Sequence, residues 1–181
     1  GGERNRSPVN VMIEGECHCL DGGAFAAAAF RCHGTGAMIV DMLPEPGTDD
    51  DHVLALFKVD GHWGAVAKSN YTGLRFREPV YRTLRELIMS YFDVFFNVNG
   101  LKTLRAYTRP VYLKTFDPYA WMTSDSGIDR IEHALKQLRT IPVISPHMVE
   151  RLAPIDRRSY EAGMFGVNAE GLFQTGDSAR P

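Results

Sequence analysis

No run of apolar residues in this sequence approaches the roughly 18–20 needed to span a bilayer as a helix. No charge of one sign prevails either: 20 Lys and Arg stand against 22 Asp and Glu, a formal net charge of -2. That balance argues against a nucleic-acid or anionic-membrane partner. Cysteine is scarce, three residues in 181, and the odd count excludes a complete disulfide framework. Cys17 and Cys19 lie too close along the chain for an easy bridge. A reducing, cytoplasmic setting is therefore expected, with thiols free for chemistry. The opening residues lack the apolar centre of a signal peptide, and there is no internal repeat or low-complexity linker. What is present is ordinary for a chain with a core: 44% hydrophobic and 23% charged residues. The length suits one domain, expected over residues 1–174, followed by a disordered tail at 175–181.

The strongest local signal is the alanine-rich stretch at residues 20–32, closed by Gly34. Alanine is the best helix former and glycine a natural stop. The stretch is apolar nearly all round, which predicts a buried central helix with Cys19 at its N-terminus. Residues 37–43, 52–59 and 62–68 read as strands. The last two make a hairpin through Asp60-Gly61. Residues 44–51 read as an acidic turn and residues 71–79 as an arginine-rich loop. Helices are expected over residues 82–96, where Leu84, Leu87, Ile88, Tyr91, Phe92 and Phe95 recur at helical spacing, and over 128–138 behind Asp125 or Ser126. The opening stretch to about residue 16 reads as irregular, and the proline-bearing remainder as short pieces. Helix, antiparallel sheet, then further helices is an α+β order.

A thiol becomes a nucleophile when a helix N-terminus or a neighbouring imidazole lowers its pKa. Cys19 meets the first condition, and Gly22 and Gly23 would let a substrate carbonyl approach backbone N–H groups. His52, opening a strand after Asp49-Asp50-Asp51, is the candidate base. Asn70, at the end of the next strand, is the candidate orienting group, with one of the three aspartates as its alternative. Cys17 is a rival nucleophile or a strained redox partner of Cys19. Zinc is disfavoured for Cys17, His18, Cys19, Cys32 and His33, because a helix of about 16 Å separates the two groups. No metal and no cofactor are expected.

The strings Cys19-Leu20-Asp21-Gly22-Gly23-Ala24, Asp49-Asp50-Asp51-His52-Val53-Leu54-Ala55, Trp63-Gly64-Ala65-Val66-Ala67-Lys68-Ser69-Asn70-Tyr71 and Leu74-Arg75-Phe76-Arg77-Glu78-Pro79-Val80-Tyr81 resemble, in that order, a bacterial group of transglutaminase-like proteins. The resemblance implies a papain-like α+β fold in which a buried helix carries the cysteine onto an antiparallel sheet. It implies a thiol enzyme acting on a peptide, amide or thioester carbonyl: Cys19 attacks, His52 moves the proton, and water or an amine releases the acyl-enzyme. The superfamily's third member is usually aspartate, where this chain offers Asn70. Trp63, Arg75 and Arg77 are candidate substrate contacts, the arginines for a carboxylate. The competing expectation is a non-catalytic binding or structural domain on the same fold. The two part on geometry: an enzyme holds Cys19 Sγ within hydrogen-bonding reach of the His52 ring at a cleft, whereas a binding domain leaves the pair apart or sealed in apolar side chains.

Overall fold

The computed structural model describes residues 4–173, so the expected tail at 175–181 lies outside the described residues. Helix α1 (Pro8–Glu14) is capped by Ser7, whose Oγ accepts from the Asn10 N–H. It precedes the alanine-rich helix α2 (Cys19–Cys32). Strands β1 (Met38–Pro44), β2 (His52–Val59), β3 (His62–Val66) and β4 (Phe76–Tyr81) follow, then a short helix α3 (Leu84–Met89). Three short strands, β5 (Leu104–Tyr107), β6 (Val111–Tyr112) and β7 (Ile141–Pro142), flank helix α4 (Asp125–Lys136). Two further helices, α5 (Pro146–Val149) and α6 (Arg157–Gly163), complete the order.

The strands form one seven-stranded sheet, ordered β4-β3-β2-β1-β5-β7, with β6 paired to β1. Every pairing is antiparallel. The arrangement is α+β, and no helix among the described residues is long and apolar enough to cross a membrane. The hairpin between β2 and β3 turns on Asp60 (φ 48°) and Gly61 (φ 80°), the pair of positive φ values a tight two-residue turn requires.

Each face of the sheet carries its own core. On one side α2 lays Leu20, Ala24, Ala27 and Ala28 over Ile39, Val53 and Ala55, with Trp121 and the α4 residues Ile128, Ile131 and Leu135 beside them. On the other, Met38, Val40, Met42, Leu54 and Leu56 meet Leu74, Leu87, Ile88, Tyr91 and Phe95. Gly23 lets α2 lie close on the sheet: a Cβ placed there would stand 2.9 Å from Val53 Cγ1.

Several elements depart from expectation for physical reasons. α2 is buried along one face only, and Phe25, Ala26 and Phe30 remain half-exposed with Ala29 exposed. Residues 71–79 are not simply a loop: they hold a single 3-10 turn at Thr72–Leu74 and the start of β4. β4 is the sheet's terminal strand, where Pro79 forfeits no ladder bond that an interior strand would need. The helix expected over 82–96 stops at Met89 and resumes as a 3-10 turn at Phe92–Val94. Its start is firm, with Thr83 and Glu86 bonded reciprocally as a capping box. At its end Ser90 Oγ donates back to the Leu87 carbonyl, while the Arg77 guanidinium takes both Ser90 Oγ and the Ser90 carbonyl. Those bonds compete with the helix ladder and end it. The short elements α1, β5, β6 and β7 are additions to the sequence-based expectation.

Candidate functional site

Helix α2 presents Cys19 as its first residue, with His18 as the N-cap. The turn before it is fastened by Asp21, fully buried, whose carboxylate accepts from the Arg6 N–H at 2.9 Å and the His18 N–H at 3.3 Å. A buried carboxylate satisfied by backbone amides is stable where a lone one would not be. Asp21 thus locks the N-terminal segment to the start of α2, a role that depends on chain fifteen residues away.

The Cys19 thiol meets the loop before β2. Its Sγ lies 3.8 Å from the Asp51 carbonyl oxygen as a donor to it. Loss of water pushes the thiol pKa well up, Asp51's charge adds to this, and the Val53 N–H opposes it only in part. Asp41, on β1, faces the same side: its register partner is Val53, which packs under Gly23 of α2. Asp41 is 4% exposed, and its Oδ1 has no hydrogen-bond partner. Burial and then the Asp51 charge raise its pKa well above the usual carboxylate range, against the His52 N–H that it accepts. Asp51 itself is pushed up to about 6, chiefly by loss of water and then by Asp50. Asp49 is likewise pushed up to about 6 by burial, while its carboxylate accepts from Thr103 Oγ at 2.8 Å. The surroundings of Cys19 are acidic, which favours the neutral thiol over the thiolate.

His52 lies elsewhere. Successive residues of a strand point to opposite faces. Val53 and Ala55 belong to the core beneath α2, and Leu54 and Leu56 to the other core. His52 follows the parity of Leu54, so its ring enters the core opposite Cys19. There its Nε2–H donates to the Leu74 carbonyl at 3.0 Å, and its ring stands edge-on to Phe95 with centroids 6.5 Å apart. The residue is 5% exposed, and burial drives its pKa down to about 4. It is a neutral core histidine with a satisfied ring N–H.

The remaining expected residues divide in the same way. Asn70 does not touch the His52 ring: its Nδ2 donates to the Asn168 and Gly171 carbonyls at 2.8 and 3.3 Å, and its Oδ1 accepts from the Asn168 N–H at 2.8 Å. It clasps the C-terminal segment instead. The Gly22 N–H, expected to face a substrate oxygen, is spent on the His18 carbonyl in the first turn of α2. Arg77 holds its guanidinium carbon 3.9 Å from the centre of the Tyr91 ring and bonds Ser90 and the Gly73 carbonyl, a structural use of every arm. Trp63 carries Lys58 Nζ 4.0 Å over its ring and packs against the core of the His52 side. Gly23 is taken up by contact with Val53.

Gly22 and Arg75 do come together. They border an open cleft of about 640 Å³ between the uncovered side of α2 and the end of β3. Its apolar wall is Phe25, Ala26, Ala29 and Phe30, and Cys17, rather than Cys19, reaches it. Lys68 crosses the first turn of α2 so closely that a Cβ on Gly22 would lie 2.5 Å from Lys68 Cβ. The Cys17 pKa is raised, mainly by burial, with Lys68 pulling the other way. Among the described residues no group of three His, Cys, Asp or Glu side chains could hold a metal ion. No family model matches this chain, and none of the curated proteins compared with it matches.

Proposed function

We propose that this chain is a binding domain on a transglutaminase-like layout, and that it does not carry out thiol-dependent acyl transfer through Cys19 and His52. The observation that carries this reading is the parity of β2, which sets the His52 ring on the face of the sheet opposite α2. A general base must come within about 3 Å of the proton it takes. Here a layer of sheet separates the two groups, and the imidazole is bonded to the Leu74 carbonyl. Three further observations support the reading: the thiol pKa is raised, Asn70 is engaged by the C-terminal segment, and the Gly22 amide is used within the helix. The likeness to transglutaminase-like proteins rests on the quoted strings and on the order of a cysteine-bearing helix before antiparallel strands. The ligand-accepting feature is the cleft beside α2.

Iodoacetamide alkylation against pH, mapped by mass spectrometry to Cys17, Cys19 and Cys32, tests the reading on the parent and on His52→Gln. Cys19 is expected to label slowly at pH 7, with a rate that climbs only above the unperturbed thiol pKa of about 8.5 and does not change in the variant. Rapid labelling of Cys19 at pH 6–7 that disappears in His52→Gln would restore the enzyme.

A further inference from the structure

A helix that is apolar all round has two faces to cover, and α2 has covered one. Leu20, Ala24, Ala27 and Ala28 lie on the sheet, while Phe25, Ala26, Ala29 and Phe30 face the cleft. Helices of this composition are normally buried throughout, but the described chain covers this second face only in part. The sheet extends the same surface outward: Phe57 packs on Phe30 with ring centroids 5.2 Å apart and on Phe76 at 6.4 Å, and Phe76 is 47% exposed. One long wall of the cleft is therefore apolar and partly aromatic.

Its end near the start of α2 is different. Lys68 and Arg75 both border it, and neither forms an ion pair among the described residues. Arg75 spends only Nε, donated to the Ser69 carbonyl at 3.0 Å, which fixes the guanidinium plane and leaves both terminal nitrogens to present. Gly22 is what allows this placement, because any side chain there would drive into Lys68 Cβ. Two cations at one end of an apolar cleft complement a ligand with an anionic head and an apolar body. A planar guanidinium fork beside an ammonium suits a carboxylate, which accepts two parallel N–H bonds.

We propose that the cleft binds a small amphiphilic carboxylate. The head lies between Lys68 and Arg75, and the body runs along Phe25, Ala26, Ala29 and Phe30. This rests on the binding-domain reading and names its ligand class. The volume of about 640 Å³ falls within the usual range for small-molecule sites. The helix rise from Gly22, at the cationic end, to Phe30 is about 12 Å, which favours a body of about eight to ten carbons over a short acid.

Isothermal titration with decanoate, butyrate, decanol and decylamine tests it on the parent, on Lys68→Gln/Arg75→Gln and on Ala26→Trp. Lys68 and Arg75 are exposed, and glutamine at 75 can still donate to the Ser69 carbonyl, so the double variant is expected to keep the parent Tm. Decanoate should bind the parent at least tenfold more tightly than any of the other three probes. The double variant should lose that tenfold preference over decanol, and Ala26→Trp should abolish binding of both. Equal affinity for decanoate and decanol, or no decanoate binding at millimolar concentration, would overturn the proposal. So would a dimer on size-exclusion light scattering that Ala26→Glu converts to monomer, since the cleft would then be an interface between copies. None of these outcomes bears on the alkylation result, so the ligand class can fail while the binding-domain reading stands.

Discussion

His52→Ala is expected to destabilise the fold by about 2–4 kcal/mol at pH 7.5, lowering the Tm by roughly 5–15 °C for a chain of this size. The cost has two parts. Removing the ring leaves a void beside Phe95, and it strands the Leu74 carbonyl, which the Nε2–H now satisfies. The same residue makes the parent sensitive to acid, and the sign follows from its depressed pKa. In the folded chain His52 titrates at about 4, against 6.5 when unfolded. Between those values the unfolded chain takes a proton that the folded chain refuses, so stability falls as pH drops from about 6.5 to about 4. The 2.5-unit difference corresponds to about 3.4 kcal/mol at 1.36 kcal/mol per unit. Alanine does not titrate, so the gap between variant and parent should narrow through this window and close near pH 4. Urea unfolding at pH 7.5, 6 and 4.5 checks it. A gap that stays constant with pH would mean that the imidazole is not held neutral, and a gap under about 0.5 kcal/mol at pH 7.5 would mean that it is not packed.

The two long secondary elements that position the cleft were legible in the sequence. Alanine propensity marked α2, and the β2–β3 hairpin was marked by Asp60-Gly61. What the sequence left open was the phase of β2. A strand with one wet face alternates polar and apolar residues, which tells an observer which side chains point where. Residues 52–56 are buried on both faces, so the run His52-Val53-Leu54-Ala55-Leu56 carries no alternation to phase it. A shift of one residue in parity moves every side chain to the other face, and that single step separates a Cys19–His52 pair from a Cys19–Asp51 neighbourhood. Asn70 and Asp21 were hidden for a different reason. Their partners lie 98 and 15 residues away, at Asn168 and Arg6. Long-range backbone partners leave no local pattern. The shortening of the helix expected at 82–96 was hidden in the same way, because Arg77 reaches Ser90 from across a strand. The half-exposed face of α2 was readable only as an apolar surplus. Composition recorded that the helix was hydrophobic all round, not that the sheet would cover one side of it.

Asp41→Asn is expected to stabilise the protein at neutral pH and to raise its Tm. Asp41 sits in the core with one unpartnered carboxylate oxygen, and Asp51 is charged beside it. The other charged groups around the pair are Asp50 in the same loop and Glu132 and Lys136 on α4, which act on Asp51. Cys19 of α2 is the titratable thiol that faces both aspartates. The folded pKa of Asp41 is raised well above 3.8, so above pH 3.8 the unfolded chain has released a proton that the folded chain retains. Stability is therefore lost as pH rises, opposite in sign to the His52 effect. Asparagine removes the titration while its Oδ1 still accepts the His52 N–H, and its Nδ2 can donate to Asp51. The gain should be present at pH 7.5 and absent at pH 4, where the parent Asp41 is already neutral, as scanning calorimetry at the two pH values would record. The same variant bears on the site, because Asp41 is one of the charges that raise the Cys19 thiol. Cys19 alkylation should quicken in Asp41→Asn once the pH is high enough to ionise the parent Asp41, yet remain indifferent to His52→Gln. That combination would tie the reluctance of the thiol to the acidic side of the sheet on which it lies. A loss of stability of equal size at both pH values would instead show that the Asp41 carboxylate is satisfied and charged in the fold.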